Sequence, residues 1–293
     1  MYRKKKSILS IIALLLFLGI FATVAVAKSS NKHHRHHPKT LKILLVGYGW
    51  YRGIPEGQTN NAETVALALD GEKIVARDDK GRVVGKGKVH SLVIPVTWYG
   101  AWPPVAQAIE ELKPDIVLGL GTGGSLTIEP YGSNVMNGCD ANPDDPTQEV
   151  CMDREAIQPD GPDWRRGSLP YDEMVLAMLA AGIPAHRGYQ RGYSDDGLPM
   201  ATPGWYLCNY FCYKGPWYVQ ENDLDIDIGF IHIWTRPEYR AWPRLQDIEE
   251  CGDDQACIDY YMERSHSSFM SIDDTVRAIR IGLEECVRAR VQK

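Results

Sequence analysis

A cysteine and a histidine stand in settings that suit thiol chemistry. Cys208 follows a Pro-Gly turn in MATPGWYLCNYFCY, residues 200–213, at the predicted first turn of a helix. A helix N-terminus favours the nucleophilic thiolate, and its free N–H groups can bind the oxyanion that forms when a carbonyl is attacked. His232 interrupts the apolar strand IGFIHIW, where an unpaired polar group would be costly. Together the two residues predict nucleophilic thiol catalysis.

Each of these residues also has a purely structural interpretation. Cys208 can be a buried structural thiol, and His232 can be a core histidine with a satisfied hydrogen bond. Glu129, in GTGGSLTIEPYGSN, follows an apolar strand and lies near the expected mouth of a sheet, where a carboxylate can orient an imidazole. The alternative for Glu129 is a solvated loop residue.

The segment Gly119–Gly124 satisfies the pattern G-x-G-x-x-G after a strand and so invites a dinucleotide-binding interpretation. That fingerprint must open a helix whose N-terminus holds the pyrophosphate. Pro130, Gly132, Ser133 and Asn134 follow instead, without helical periodicity. The context therefore argues against a nucleotide site.

Strands and helices alternate along the chain and must position these residues. Strands are predicted at 41–47, 89–96, 115–120 and 227–234, and helices at 61–69, 102–112, 171–181, 207–213 and 272–291, with a long irregular stretch at 121–167. Such alternation predicts a single α/β domain with a mostly parallel twisted sheet and helices on both faces, a three-layer sandwich. Chemistry in such sheets gathers where strands end.

The chain begins with features of an export signal. Residues 1–27 combine a basic start, an apolar run over 8–26 and a small-residue box, which predicts a signal peptide or an uncleaved membrane anchor. Residues 28–40 form a polar, histidine-rich linker, and 41–293 the catalytic domain. Loss of the four basic residues in 1–27 changes the formal net charge from −6 to −10, which argues against a nucleic-acid partner. The predicted location is secreted or extracytoplasmic.

Seven cysteines fit three disulfides and one free nucleophile in an exported protein. Cys139 and Cys151 bracket one polar loop, Cys251 and Cys257 bracket another, and elimination then pairs Cys212 with Cys286. Several unpaired buried thiols are the alternative. Cys208 and Cys212 are four residues apart on one helix face, too far for an unstrained bridge.

Several segments resemble, in order, the pyroglutamyl peptidase I family, cysteine peptidases that remove an N-terminal pyroglutamyl residue. The matching segments are LLVGYGWYRG, KPDIVLGLGTGG, IEPYGSN, GSLPYDEMVLAMLAAGIPA, PGWYLCN, GFIHIW and SIDDTVRAI. The resemblance runs from about residue 41 to the end, interrupted by insertions. It implies the family's phosphorylase/hydrolase-like fold and no metal or organic cofactor.

Carried over by position, the resemblance makes Cys208 the nucleophile, His232 its base and Glu129 the residue that orients His232. Tyr48 and Tyr51 fall where the family has two phenylalanines around the pyrrolidone ring. A compact, uncharged lactam suits a pocket of aromatic faces and a few backbone hydrogen bonds. The implied partner is a peptide or small amide substrate; a homo-oligomer stays open, and membrane contact depends on an uncleaved anchor.

The sequence also departs from the family's pattern. Ser125 replaces an arginine after the paired glycines, Asn142 replaces another, and Glu129 aligns only after a two-residue deletion. Extra residues that include 189–196, and cysteine-bearing loops at 139–151 and 251–257, are additions. These departures leave two alternatives to pyroglutamyl hydrolysis: a catalytically silent relative that binds a lactam or peptide end, and an amidase or acyl transferase of related mechanism.

Overall fold

Short β-strands and five helices make up the part of the chain that the structure describes. The structure is a computed structural model, and it describes residues 39–51, 54, 57–141, 149–188, 191–234, 254 and 270–293. The strands are β1 (Thr40–Tyr48), β2 (Lys73–Arg77), β3 (Val83–Ile94), β4 (Ile116–Gly123), β5 (Leu126–Glu129), β6 (Tyr131–Ser133), β7 (Met136–Ala141), β8 (Glu149–Glu155), β9 (Trp164–Arg166), β10 (Ala185–Arg187), β11 (Arg191–Tyr193), β12 (Pro199–Ala201) and β13 (Asp227–Trp234). The helices are α1 (Asn61–Ala68), α2 (Trp102–Leu112), α3 (Tyr171–Ala180), α4 (Leu207–Glu221) and α5 (Ile272–Arg290).

Seven strands form one sheet in the order β10-β5-β13-β4-β1-β3-β2. The pairs of β1 with β3 and β4, of β13 with β4, and of β10 with β5 are parallel. The pairs of β5 with β13 and of β2 with β3 are antiparallel. The predicted mostly parallel sheet is confirmed, and β2 adds an antiparallel edge strand that the apolar pattern did not predict.

Helices cover both faces of the sheet. On one face α2 packs on α4 through an edge-to-face contact of Trp102 with Phe211, whose ring centroids are 5.8 Å apart. On the other face α1 lies so close to β1 that a β-carbon on Gly47 would stand 2.4 Å from the Ala62 carbonyl oxygen. Helices α3 and α5 pack together on that same face. Apolar residues from both layers form one core around the sheet, as the predicted three-layer arrangement requires.

Side-chain caps fix where two of the helices begin. The Asn60 side chain accepts a hydrogen bond from Ala62 N and so caps α1. The Ser271 side chain caps α5, accepting from Asp274 N. Helix α4 runs to Glu221, well past the predicted end at residue 213, although Pro216 lies inside it.

The stretch 121–167, predicted as irregular, contains five short strands instead. Strand β5 joins the main sheet, β6 pairs with β9, and β7 pairs with β8. These strands are only three to seven residues long, too short for an alternating pattern to stand out from a loop. Glu129 is therefore the last residue of a strand rather than a loop residue.

The cysteines follow the predicted pattern only in part. Cys139 and Cys151 are partners in the β7–β8 hairpin, and the structure joins their sulfurs. The predicted pair of Cys212 with Cys286 is wrong, because both are free, buried thiols. Cys212 lies on α4 and Cys286 on α5, which cover opposite faces of the sheet, and Cys286 Sγ contacts Met174 Sδ at 3.7 Å instead. Cys251 and Cys257 lie outside the described residues.

The predicted leader, residues 1–27, also lies outside the described residues, as does the linker except for its last two positions. Within the described ranges, no helix is both long enough and apolar enough to cross a bilayer. The boundaries 1–27, 28–40 and 41–293 stay predictions.

Candidate active site

The first turn of α4 meets the sheet where β4 and β13 end. Cys208 is the second residue of α4 and is half-buried. A β-carbon on Gly121 of β4 would stand 2.8 Å from Cys208 Sγ, so the thiol lies directly over a glycine backbone. Gly121 is in turn the parallel-strand partner of His232 on β13. Only a residue without a side chain at position 121 lets the thiol reach the strand that carries the histidine.

His232 is held between a carboxylate and this thiol. Its Nδ1 lies 3.0 Å from Glu129 Oε1, and Cys208 is close enough to raise the pKa of the ring. The side chain of Glu129 is 1% exposed and that of His232 is 14% exposed, so the pair is almost sealed from water. With Nδ1 facing the carboxylate, Nε2 is the nitrogen left for proton exchange with the sulfur.

The charges around His232 favour its protonated form. Burial lowers the pKa of His232, but the neighbouring Cys208 and the hydrogen bond and charge of Glu129 outweigh burial and raise it from about 6.5 to about 10. An imidazolium facing a sulfur on one side and a carboxylate on the other is the arrangement that activates a thiol nucleophile.

Strand β5 brings Glu129 to the histidine. It runs antiparallel to β13, with Glu129 opposite Phe230 and Thr127 opposite His232. Glu129 Oε2 has no hydrogen-bond partner among the residues that the structure describes. Behind it lies Gly188, where a β-carbon would stand 2.1 Å from this oxygen. A side chain at position 188 would push the carboxylate off its line to His232.

Asn209 anchors the helix turn that carries Cys208. Its fully buried side chain accepts from Ser133 N at 2.7 Å and donates to the carbonyl oxygens of Ser133 and Val135, at 2.9 and 2.8 Å. At the helix start, Tyr206 is the N-cap residue but makes no side-chain cap. The N–H groups of this turn lack the usual intrahelical acceptors, so they are donors for a developing oxyanion.

Several aromatic rings lie close to the turn that carries the thiol. Trp98 packs edge-to-face on Tyr206 and Tyr210, with centroids 5.3 and 6.0 Å apart. Tyr51 is half-buried and, like Cys208, lies within electrostatic range of Tyr206. Tyr48 is only 4% exposed, and its hydroxyl donates to Leu207 O at 2.7 Å. Tyr51 thus has exposed surface that a ligand can contact, whereas the hydroxyl of Tyr48 is used in a hydrogen bond inside the protein.

The disulfide-bearing hairpin of β7 and β8 rests on the nucleophile segment. Asn137 N donates to Trp205 O at 2.8 Å, and Tyr206 Oη donates to Cys139 O at 3.3 Å. Trp98 Nε1 donates to Gly138 O at 3.0 Å from the other side. The hairpin therefore lies beside the segment that carries Cys208. It contains the loop 139–151, which is an addition relative to the family's pattern.

A small polar cluster of Ser125, Thr127 and His186 lies where the family resemblance implies an arginine at position 125. Ser125 Oγ lies 2.8 Å from Thr127 Oγ1 and 3.1 Å from His186 Nε2, and Thr127 Oγ1 lies 2.9 Å from the same nitrogen. Because Thr127 faces His232 across the strand pair, this cluster flanks the histidine. It has hydrogen-bonding groups there but no permanent cation.

The glycines that mimic a dinucleotide fingerprint have a packing role. A β-carbon on Gly119 would stand 2.6 Å from both Phe211 and Phe230, and one on Gly121 would meet Cys208. The segment continues into strand β5 rather than a helix. The sequence predicted that no helix follows these glycines and argued on that ground against a nucleotide site, and the strand found here agrees with that prediction.

The structure thus brings Cys208, His232 and Glu129 together, with Tyr48 and Tyr51 on neighbouring elements. Sequence reasoning missed the anchoring roles of Asn209 and of the Tyr48 hydroxyl, and the close approach at Gly188. The asparagine directly after the cysteine in PGWYLCN was the available signal for the first. Nothing local to Tyr48 or Gly188 pointed to partners that are distant in sequence.

Comparison with known proteins identifies the family of the chain. The family model described as pyroglutamyl peptidase matches residues 41–246. A pyrrolidone-carboxylate peptidase of Mycobacterium marinum is 31% identical over 206 residues, which are 69% of this chain and 81% of that protein.

Solved structures of the same group share the fold. The pyrrolidone carboxyl peptidase from Thermococcus litoralis has a TM-score of 0.61 at 21% identity and covers 85% of this chain and 94% of its own. The pyroglutamyl peptidase I from Bacillus amyloliquefaciens has a TM-score of 0.60 at 20% identity, with coverages of 85% and 96%. With a family model over most of its length and a relative of this identity, the chain belongs to the pyroglutamyl peptidase family.

Proposed function

We propose that this chain is an exported cysteine peptidase that removes an N-terminal pyroglutamyl residue from peptides, with Cys208 as nucleophile, His232 as acid and base, and Glu129 as the residue that orients His232. The observation that carries the mechanism is the nearly buried imidazole, whose Nδ1 lies 3.0 Å from Glu129 Oε1 and whose pKa the neighbouring Cys208 raises. Membership of the family supports the substrate class.

In the acylation step, the sulfur of Cys208 attacks the carbonyl carbon of the pyroglutamyl residue, and a C–S bond forms. The carbonyl oxygen becomes an oxyanion, which the N–H groups at the start of α4 stabilise. His232 then donates its Nε2 proton to the leaving amine, the C–N bond breaks, and a thioester remains on Cys208.

In the deacylation step, His232 takes a proton from a water molecule, whose oxygen attacks the thioester carbon. The tetrahedral intermediate collapses, the C–S bond breaks, and free pyroglutamate leaves. Glu129 keeps its negative charge throughout and holds Nδ1–H of the ring, so that Nε2 faces the sulfur in both steps. Deacylation thus returns to His232 the proton that it lost in acylation.

A binding-only relative is the second candidate, and one observation favours it. At position 125 the flank of His232 has hydroxyls and His186 where the sequence resemblance implies an arginine. If that charge were essential, the site would bind a lactam without cleaving it. Turnover separates the two candidates.

Purified protein is expected to release the chromophore from a pyroglutamyl amide, and Cys208→Ser should lower kcat/KM by at least about 10³-fold because the hydroxyl is a far weaker nucleophile in this setting. Cys212→Ser is the matched control, since that thiol is one turn away and buried. Full activity of Cys208→Ser, or of wild type after complete alkylation of Cys208, would contradict the mechanism. No turnover, with heat stabilisation by 2-pyrrolidone, would favour the binding-only relative.

Glu129→Gln tests the orienting role, because it keeps the size of the side chain and removes its charge. We expect kcat to fall by about 10²-fold or more. The NMR signal of the His232 ring should titrate at lower pH than in wild type, where the raised pKa keeps the ring protonated through pH 8. The exposed Glu155→Gln is the control. An unchanged His232 titration in Glu129→Gln would show that the carboxylate does not stabilise the imidazolium.

Export is tested on the protein recovered from its own host. Mass spectrometry should find a mature chain that lacks residues 1–27, with the peptides of Cys139 and Cys151 linked and those of Cys212 and Cys286 carrying free thiols. An intact leader on protein from the cytosolic fraction would contradict export. A linked Cys212–Cys286 peptide would contradict the arrangement of α4 and α5 on opposite faces of the sheet.

A further inference from the structure

The hydroxyl of Tyr48 makes a hydrogen bond that reaches the nucleophile helix from the opposite end of the chain. Tyr48 is the last residue of β1, and its Oη donates to Leu207 O at 2.7 Å across 159 residues of sequence. The side chain is buried, with its ring edge-to-face on Phe230 at a centroid distance of 6.4 Å. The contact therefore ties the centre of the sheet to the first residue of α4.

The carbonyl of Leu207 and the N–H of Cys208 belong to one peptide unit. A peptide unit is planar, so a restraint on its oxygen also fixes the direction of its N–H. That N–H lies at the start of the helix, where no intrahelical carbonyl is available to accept from it. It belongs to the residue that carries the sulfur, and so is a natural partner for an oxyanion on the carbon that the sulfur attacks.

The Leu207 oxygen opens the hydrogen-bond ladder of α4, and Tyr48 adds a side-chain hydrogen bond to the same oxygen. Asn209 binds Ser133 and Val135 and so holds the turn just after the nucleophile. The N-cap residue, Tyr206, makes no side-chain cap in the described structure. Tyr48 and Asn209 thus bracket Cys208 from its two sides.

Tyr48 is well suited to act as a permanent donor. Burial, followed by the nearby Cys208 and Cys212, raises the pKa of Tyr48 well above its usual value, so the hydroxyl keeps its proton. A hydrogen bond to a peptide oxygen also polarises that peptide and strengthens its N–H as a donor. A phenylalanine at this position would keep the ring contact with Phe230 and lose both effects.

We propose that Tyr48 is a positioning residue for oxyanion stabilisation: its hydrogen bond to Leu207 O orients the Cys208 N–H toward the tetrahedral intermediate. This role rests on the proposed function, and it differs from lining the lactam pocket. A pocket residue contacts the substrate equally in the ground state and the transition state. A residue that orients an oxyanion donor acts only once charge develops on the carbonyl oxygen, so its loss lowers kcat and spares KM.

The test compares Tyr48→Phe with Tyr213→Phe. Tyr213 is also buried and also donates from its hydroxyl to a backbone carbonyl, that of Pro162 at 2.8 Å, but it lies farther along α4 from the nucleophile. We expect Tyr48→Phe to lower kcat for a pyroglutamyl amide by roughly 3- to 20-fold with KM within about 2-fold, and Tyr213→Phe to leave kcat within about 2-fold.

Two ligands separate this role from a general loss of structure. The aldehyde analogue of pyroglutamate adds to Cys208 and places an oxygen where the oxyanion forms, whereas 2-pyrrolidone only fills a lactam pocket. Tyr48→Phe should weaken binding of the aldehyde by a factor similar to its loss of kcat and leave 2-pyrrolidone binding unchanged. Equal kcat in wild type and Tyr48→Phe, or an equal loss for both ligands, would overturn the proposal.

These outcomes are distinct from a failure of the proposed function. A wild-type chain that binds both ligands without hydrolysing the amide would contradict the peptidase assignment. The ratio of aldehyde to 2-pyrrolidone affinity in Tyr48→Phe would still decide the role of the hydroxyl, because neither measurement needs turnover.

Discussion

The buried contact between Glu129 and His232 is the interaction on which the site depends. A carboxylate whose side chain is 1% exposed is costly to bury, and a cationic imidazole at 3.0 Å compensates that cost only in good geometry. The geometry comes from the antiparallel pairing of β5 with β13, which sets the two side chains on one face. Gly188 leaves the space that the carboxylate occupies. The nearby Cys208 sulfur and this contact together outweigh the effect of burial and raise the pKa of His232.

The sheet also determines how the thiol of Cys208 reaches this pair. Gly119 and Gly121 have no side chains, so Phe211, Phe230 and Cys208 can lie against the backbone of β4. Asn209 then fixes the helix turn from one side, and the Tyr48 hydroxyl fixes it from the other. Residues from β1, β4 and α4, which are far apart in sequence, thus surround the turn that carries the sulfur.

Much of this architecture could be predicted from the sequence, because its signals are local. The apolar runs of β1, β4 and β13 gave the buried parallel strands, and the cysteine and histidine motifs identified the residues that come together. The short strands between 121 and 167 could not be predicted, since strands of a few residues lack a readable period. The pairing of Cys212 with Cys286 failed because elimination says nothing about which face of a sheet a helix covers. Contacts such as Tyr48 with Leu207 need the assembled fold.

The most direct measurement of the central claim is the site of covalent capture by a pyroglutamyl chloromethyl ketone, followed by peptide mapping. A thiol in the lactam site displaces the chloride and forms a thioether. The label therefore marks the residue that faces the substrate. The account predicts one adduct per chain on Cys208, and a much slower reaction after His232→Ala. An adduct on Cys212, on Cys286 or on a non-cysteine residue in a chain that hydrolyses pyroglutamyl amides would contradict it.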